Sequence, residues 1–537
     1  MFEKIVNKSF LIKVLYWLCL FLTFLFISYR LRYAILIYDD VIDLITSKFN
    51  FYHGRFYSEF CAFLLVNGIP TLFGINLQDF AIISENFVKS AVFVWLTVVV
   101  SNIFWIGKKK ETIFSVLLYL FSFFTLWLLL LKEGDFILST LQFYFGYILP
   151  LPIFLILWKR LGDIYITGGE PDSFENKILI VLSVLIAQSN ELVCIVLFVL
   201  LVLLGIEKLI EYCKYKSLEN YRWILYPFVA LLLMSAIVYT NPGFKLIVDF
   251  YITPESFVVK TQDLFSFLRI FLDTFILKNM FVIITTIVLF VMLLCSKQNK
   301  EENKKVFKYS TYTWISVLTF FFSLFFVGKS CYYVTPNDEN SYWILYQPLV
   351  FSFKVFLYTF ALYILGYLFR NDEKFKMKII VMLFLFLGMF LQVQGYFNRV
   401  NQNIYSYNLR KTMYQLDKLA VFYFLRGETA ILPKDDLDKI YSIEKDGSTM
   451  PYDLKNDQYK NKIYYKSDDN NIWPYLQYLK HAYGIDNIEK GIKFTSLQEA
   501  LSEYQKRGGY LTQKELKDLD FGKINKQIEN YEETHKK

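Results

Sequence analysis

The chain of 537 residues is too apolar for an ordinary soluble protein. Hydrophobic residues make up 55% of it and aromatic residues 20%, and its mean hydropathy is positive, which favours membrane-crossing segments. The net charge of +8 comes from short basic clusters between apolar runs. Such clusters set membrane orientation, and they argue against a nucleic-acid partner. The six cysteines are scattered without a CxxC pair, so neither a disulfide framework nor a zinc site is expected.

About eleven apolar runs have the length of transmembrane helices. The first follows an N-terminus with several lysines and lacks a small-residue cleavage site, so it is expected to stay as a helix. The runs cover residues 14–36, 87–106, 112–131, 139–157, 177–189, 192–207, 222–240, 279–296, 309–327, 346–369 and 378–396. The stretch 177–207 is counted as two spans because Gln188, Ser189, Asn190 and Glu191 interrupt it.

The basic residues predict the orientation of these spans. With a cytoplasmic N-terminus and 177–207 as two spans, about 22 Lys and Arg residues fall in cytoplasmic loops and about ten in outer loops and membrane ends. This agrees with the positive-inside rule, whereas one span at 177–207 would invert every later loop. Two further apolar segments, 58–77 and 246–277, are interrupted by polar residues and are expected to lie in the membrane interface.

The composition changes after residue 396, where Tyr, Lys, Asp and Asn replace the apolar runs over about 140 residues. We therefore predict a membrane domain at 1–396 and a soluble, extracytoplasmic domain at 397–537. Within the second domain a strand is expected at Thr429–Leu432, and helices at 416–425, 497–504 and 514–531. The expected fold is a polytopic α-helical membrane protein with a C-terminal mixed α/β domain.

The clusters that suggest chemistry share the predicted outer face. Two adjacent carboxylates end the first apolar run, and ionised groups there are costly unless water, a cation or a substrate meets them. The clusters are Asp39-Asp40, His53-Gly54-Arg55, Lys132-Glu133-Gly134-Asp135, Asn190-Glu191 and Asn241-Pro242-Gly243-Phe244-Lys245.

The order of these clusters resembles the GT-C superfamily, the integral-membrane glycosyltransferases that use polyprenyl-phosphate-linked sugars. The nearest branch is the O-antigen glucosyltransferase-like proteins of bacteria. The resemblance covers roughly residues 14–396 in layout, and each motif alone is short. Relatives often have Arg where this chain has Lys245, a change that keeps a cation but loses bidentate phosphate recognition. The resemblance implies a multi-pass enzyme of the bacterial inner (cytoplasmic) membrane, an inverting hexosyltransferase active in cell-surface polysaccharide modification.

Such a transfer needs a base beside the acceptor hydroxyl and cations or dipoles that hold the departing phosphate. By resemblance, Asp39 is the expected base and Asp40 positions the acceptor or a divalent cation, although the two roles could be reversed. The donor is a polyprenyl-phosphate sugar, and the acceptor is a glycan or lipid-linked glycan. The expected substrate-binding residues are Arg55, His53, Glu191, Asn190, Lys245 and Asp135.

Each residue also has a purely structural interpretation. Asp39 and Asp40 would cap a helix or solvate a loop, Arg55 would pair with Glu59, and Glu191 would pair with Lys245 or Arg55. Two other functions stay open. One is a transporter or flippase of lipid-linked sugars, although the sequence has no clear internal repeat and its polar groups gather at one end of the spans. The other is a membrane scaffold whose outer domain recruits partners.

Overall fold

The computed structural model of the protein describes residues 8–30, 60, 61, 63–73, 77–105, 112–133, 144–189, 191–215, 221–240, 268, 269, 271–295, 300–327, 347–368, 383, 428–433, 492–495, 499, 502 and 506. This part is helical except for two short strands near the C-terminus. The α-helices are α1 (Lys8–Arg30), α2 (Ile69–Phe73), α3 (Leu77–Ile103), α4 (Ile113–Glu133), α5 (Pro150–Thr167), α6 (Ser173–Ala187), α7 (Glu191–Tyr215), α8 (Arg222–Tyr239), α9 (Met280–Cys295), α10 (Lys300–Val327) and α11 (Gln347–Leu368).

Short π-helical turns lead into three of these helices. Leu64–Gly68 precedes α2, Tyr144–Ile148 precedes α5, and Leu272–Ile276 precedes α9 through the 3₁₀ turn Leu277–Asn279. The predicted interfacial segments 58–77 and 246–277 therefore contain helical turns where they are described. Their position relative to a membrane stays a prediction.

Eight helices of the described part are long and apolar enough to cross a membrane. They lie within Phe10–Tyr29, Asn86–Ile103, Ile113–Leu130, Tyr144–Thr167, Leu192–Lys214, Arg222–Tyr239, Leu277–Cys295 and Leu349–Leu368. A helical membrane protein is thus confirmed. The helices α6, with 15 residues, and α10, with a charged first half, are not among the eight. Because only Leu383 of the predicted span 378–396 is described, the total of eleven stays a prediction.

The apolar stretch 177–207 is two helices, as predicted. Helix α6 begins after Asp172, whose carboxylate accepts a hydrogen bond from the Glu175 backbone N–H, and it ends at Ala187. The Ser189 hydroxyl then donates to the carbonyl of Ile186, which satisfies a terminal carbonyl and leaves the chain free to turn before α7.

Helix α5 extends ten residues beyond the predicted end at 157. The extension carries charges, but Lys159 and Asp163 are one turn apart and form an ion pair, which stabilises a helical turn. The helix stops at Gly168, which has a φ of 69°. Glycine adopts this left-handed conformation without steric cost and is the commonest helix stop.

Helix α11 is the centre of the described helices. Every residue from Leu349 to Tyr367 is buried, because α3, α4, α9, α10 and the π-helical turns before α5 and α9 contact this helix. On one side α1, α3 and α4 pack together, and α3 and α4 contact α11. On the other side α5, α7 and α10 contact one another, and α10 also contacts α11. Helices α6 and α8 pair outside α5 and α7.

The four helices α5, α7, α10 and α11 have two contrasting ends. We call residues 158–168, 204–215, 300–313 and 360–368 the basic end, and residues 144–155, 191–196, 317–327 and 347–356 the cavity end. At the basic end, Trp158 donates its indole N–H to the Thr313 hydroxyl at 3.0 Å. The phenol of Tyr309 donates to the Trp158 carbonyl.

Further polar contacts between helices stabilise the basic end. The Tyr165 phenol donates to both carboxylate oxygens of Glu207 at 2.9 Å, and the Lys308 ammonium lies 2.6 Å from the same carboxylate. Three helices therefore meet at one acidic side chain.

Two glycines allow close packing at the basic end. A Cβ at Gly162 would lie 2.6 Å from the Tyr363 phenol oxygen and 2.7 Å from a ring carbon of Tyr309. A Cβ at Gly366 would overlap the backbone carbonyl of Phe104. Neither position has room for a side chain.

The two strands lie in the predicted soluble region. Strands β1 (Ala430–Pro433) and β2 (Ile492–Thr495) pair in parallel, with Ala430 opposite Ile492. The predicted strand at 429–432 is confirmed within one residue. The predicted helices 416–425 and 514–531 lie outside the described residues, so the mixed α/β domain stays a prediction.

Candidate functional site

The structure brings only one of the sequence-predicted site residues into its described part. Glu191 is the first residue of α7, and nothing is described of its side chain. The remaining seven, Asp39, Asp40, His53, Arg55, Asp135, Asn190 and Lys245, lie outside the described residues. Whether these residues form one site therefore stays a prediction. Helix α4 runs through Lys132 and ends at Glu133, where a charged helix terminus was expected.

The turn before α7 places Glu191 at the cavity end. Ser189 is buried, and Leu192, the residue after Glu191, faces the space between α5, α10 and α11. The first backbone N–H groups of a helix have no intrahelical acceptor and carry a partial positive charge. The 25 residues of α7 thus direct their positive end to the same level as this space.

An apolar cavity lies directly below the turn. Together with the open space at its mouth, it contains about 410 Å³ between the side-chain atoms. Its walls come from four helices: Leu151, Phe154 and Leu155 of α5, Leu192, Val193 and Val196 of α7, Val317 and Phe321 of α10, and Ser352, Phe353, Val355 and Phe356 of α11. With a single hydroxyl in this wall, the cavity suits a hydrocarbon chain.

Two fully buried lysines are found at the same end of the molecule. Lys89 of α3 has 0% and Lys354 of α11 has 1% of its surface exposed. Lys354 stands between Phe353 and Val355, which both line the cavity. A lysine within an apolar membrane helix is costly and is therefore a default indication of a functional site.

Tyr144 fixes the backbone around Lys89. This phenol, in the π-helical turn before α5, donates to the Lys89 carbonyl at 2.6 Å, and the Lys89 ammonium lies 5.8 Å from the centre of the Tyr144 ring. The π-helical turn contacts both α3 and α11, which also contact each other. The two lysines therefore belong to three mutually contacting elements at the cavity end.

Sequence reasoning missed both lysines. Each falls inside a predicted span, 87–106 or 346–369, where an apolar run predicts a helix and hides a single charge. The signal was present, because a charged residue inside such a run is itself unusual. The sequence does not show how the helices are arranged. This arrangement buries the two lysines on helices that contact each other.

No metal centre is found among the described residues. No three His, Cys, Asp or Glu side chains of that part are grouped so as to hold an ion. Asp39 and Asp40, the residues expected to bind a divalent cation, lie outside it, so that expectation is not tested.

The arrangement at the cavity end is amphiphilic. It combines an apolar cavity, buried ammonium groups and the positive end of a long helix, which together suit a lipid with an anionic head group. A comparison of the chain with protein-family models, curated proteins and solved structures finds no match.

Proposed function

We propose that the protein is a membrane glycosyltransferase that transfers a sugar from a polyprenyl-phosphate donor to a glycan or lipid-linked glycan outside the cytoplasm. The observation that carries the proposal is the apolar cavity at the same helix ends as two buried lysines. A polyprenyl phosphate has this combination of properties, because it joins a long apolar chain to an anionic group.

In this proposal the cavity holds the first part of the polyprenyl chain. The four cavity helices exclude water from the chain, which favours its binding by the hydrophobic effect. Lys89 and Lys354 hold the phosphate, since a buried cation interacts strongly with an anion that reaches it. The N-terminus of α7 adds a partial positive charge at the same level.

The chemistry is assigned to the predicted outer loops. Asp39 or Asp40 takes the proton from the acceptor hydroxyl as its oxygen attacks the anomeric carbon. The bond between that carbon and the phosphate oxygen breaks, and the polyprenyl phosphate leaves with the electron pair. Arg55 and Lys245 stabilise the leaving phosphate, and Glu191 with Asn190 binds the sugar or the acceptor. This assignment places the cavity end outside the cytoplasm and the basic end inside, in the bacterial inner membrane.

Binding and turnover are best measured separately on purified protein in nanodiscs. Binding of a polyprenyl phosphate should weaken by at least about tenfold in Lys354→Met and in Lys89→Met, because methionine keeps the length of the side chain and removes the charge. Lys304→Met is the matched control, since Lys304 is 71% exposed at the basic end. This variant should bind like the wild type.

Turnover is then tested with a polyprenyl-phosphate sugar and an extract of candidate acceptors. Asp39→Asn or Asp40→Asn should abolish sugar transfer while leaving lipid binding intact. Equal binding by both buried-lysine variants and the control contradicts the proposed phosphate site. Tight binding with no transfer under any acceptor condition, together with movement of the lipid-linked sugar across the bilayer, supports the flippase instead.

A further inference from the structure

Tyr144 contacts both the backbone and the charge of Lys89. Its phenol O–H donates to the Lys89 carbonyl at 2.6 Å, and the centre of its ring lies 5.8 Å from the Lys89 ammonium nitrogen. Both residues are buried, with 1% and 0% of their surface exposed. A cation within about 6 Å of an aromatic ring centre is attracted to the ring face. One side chain from another element therefore holds two separate groups of this lysine.

The π-helical turn that carries Tyr144 continues directly into α5. All five residues of Tyr144–Ile148 are buried, and the Tyr144 carbonyl accepts a hydrogen bond from the Leu149 N–H at 3.1 Å. Pro150 and Pro152 follow at the start of α5. Proline has no backbone N–H and so interrupts the regular α-helical hydrogen bonds, which favours a wider turn before the helix. Turns of this kind are frequent at functional sites.

A second element holds α3 beside Lys89. The Ser28 hydroxyl of α1 donates to the Ser90 hydroxyl at 2.9 Å, and Ser90 donates to the Asn86 carbonyl at 2.6 Å. Ser90 directly follows Lys89 in the chain. Contacts from α1 and from the π-helical turn thus meet on adjacent residues of α3. Together they fix the part of α3 from which the Lys89 side chain extends.

The position of Lys89 matters because a lysine side chain is flexible. Its long stem has many rotamers, and the loss of this freedom opposes the binding of an anion. The Tyr144 ring restricts the ammonium before an anion arrives, so less freedom is lost on binding. Helix α3 ends beside Gly366 at the basic end, and side chains of a helix lean toward its N-terminus. The Lys89 side chain therefore leans toward the cavity end.

The basic end contains the same kind of bond without a lysine. Tyr309 is also fully buried, and its phenol donates to the carbonyl of Trp158. Its ring lies against the Trp158 ring, with the two centres 6.0 Å apart. A bond from a phenol to a helix carbonyl thus joins elements at both ends of the molecule. At the cavity end the residue that accepts this bond is charged.

We propose that Tyr144 is a positioning residue that orients the Lys89 ammonium toward the phosphate of the bound lipid. This inference rests on the proposed function, because it takes Lys89 as part of the phosphate site. Tyr144 acts through Lys89, so it should affect the recognition of the phosphate and not that of the apolar chain. A residue that only supports the fold would affect both.

Binding of two lipids to the full-length protein in nanodiscs tests this role. Polyprenyl phosphate and polyprenol of the same chain length differ only in the phosphate, so the preference for the first lipid measures phosphate recognition. Tyr144→Phe keeps the ring and loses the hydrogen bond, and it should lower this preference by about threefold. Tyr144→Leu also loses the ring and should lower it by about tenfold. If Tyr144→Leu does not fold, the conservative Tyr144→Phe carries the test.

Tyr309→Phe is the matched control for Tyr144→Phe. It removes the same kind of bond from an equally buried tyrosine, so it should lower thermal stability by a similar amount and leave the preference for the phosphate unchanged. If Tyr144→Phe weakens the binding of both lipids equally, or weakens neither, Tyr144 has only a structural role and the proposal is overturned.

A double-mutant cycle with Lys89→Met separates this inference from the proposed function. Once Lys89 is replaced by methionine, Tyr144→Phe should cause no further loss of phosphate preference. Fully additive losses contradict the positioning role and leave the phosphate site of the proposed function intact. If Lys89→Met alone does not change the preference, that phosphate site is wrong and the role of Tyr144 fails with it.

Discussion

The basic end and the cavity end belong to the same four helices but are built in opposite ways. At the basic end, Gly162 and Gly366 leave no space for a Cβ, and Glu207 joins three helices through Tyr165 and Lys308. At the cavity end, side chains of the same helices leave an apolar gap between them. The difference indicates that one end fixes the helices in place, which allows the other to keep a gap that tight packing would otherwise close.

The largest expected effect comes from forcing the basic end apart. Gly366→Ala places a methyl group against the Phe104 carbonyl, and backbone cannot move aside as a flexible side chain can. We expect a loss of about 3 kcal/mol of unfolding free energy or failure to accumulate folded protein. Chemical denaturation in detergent, with the yield of monodisperse protein, measures the effect.

Gly205→Ala is the matched control for this change. Gly205 lies within α7 and a Cβ there meets nothing within 4 Å, so alanine should raise stability by about 0.5–1 kcal/mol through its better helix propensity. If both alanine variants are equally stable, the close packing assigned to the basic end is wrong.

The second change fills the cavity end. Val196→Phe adds a ring to a side chain that lines the cavity. Binding of polyprenyl phosphate should weaken by about tenfold, equivalent to about 1.4 kcal/mol, while the thermal stability of the lipid-free protein stays the same or rises. Val99→Phe, at a buried position outside the cavity, should lower stability by overpacking. Unchanged lipid binding in Val196→Phe argues that the chain binds elsewhere.

A smaller effect is expected from changing Glu207, whose side chain bonds to two neighbouring helices at the basic end. Glu207→Gln keeps an acceptor for the Tyr165 phenol but removes the ion pair with Lys308, whose side chain is 47% exposed and is readily solvated. A loss of about 1 kcal/mol is expected. Glu211→Gln removes a pair with Lys208 in which the glutamate is more exposed than Glu207, and it should cost less. Thermal unfolding of both variants shows whether Glu207 stabilises the contacts between helices or behaves as an ordinary surface charge.

The smallest effect should come from the pair between α5 and α6. Arg160 and Glu175 are 3.1 Å apart, with side chains 56% and 36% exposed. Arg160→Gln is expected to change stability by less than about 0.5 kcal/mol, because water competes for both groups. A larger change would show that side-chain contacts also fix α6 to the four helices α5, α7, α10 and α11.

The helices could be predicted from the sequence because a sufficiently long apolar run indicates a helix whatever packs against it. The break at Gln188–Glu191 was predicted for the same reason, since polar residues interrupt the run. Helix α5 continues beyond the predicted end of the apolar run at 157, because Lys159 and Asp163 form a local pair and the helix stops only at Gly168.

The candidate site was less accessible to sequence reasoning. A cavity exists where side chains from α5, α7, α10 and α11 fail to meet, and the positions of four helices relative to one another are not contained in their periodicity. Lys89 and Lys354 could have been noticed as charges in apolar runs, but their common end of the molecule follows only from helix contacts. The predicted outer-loop residues, apart from the backbone of Glu191, stay predictions.

The parallel pairing of β1 and β2 has a consequence for dissecting the C-terminal region. Parallel neighbours cannot be joined by a tight turn, so the pairing of β1 with β2 needs a long connection between them. The register therefore depends on two segments almost sixty positions apart in the chain. A fragment that ends before Thr495 leaves β1 without its neighbour, and shortened forms of this region should be cut after the second strand rather than inside the connection.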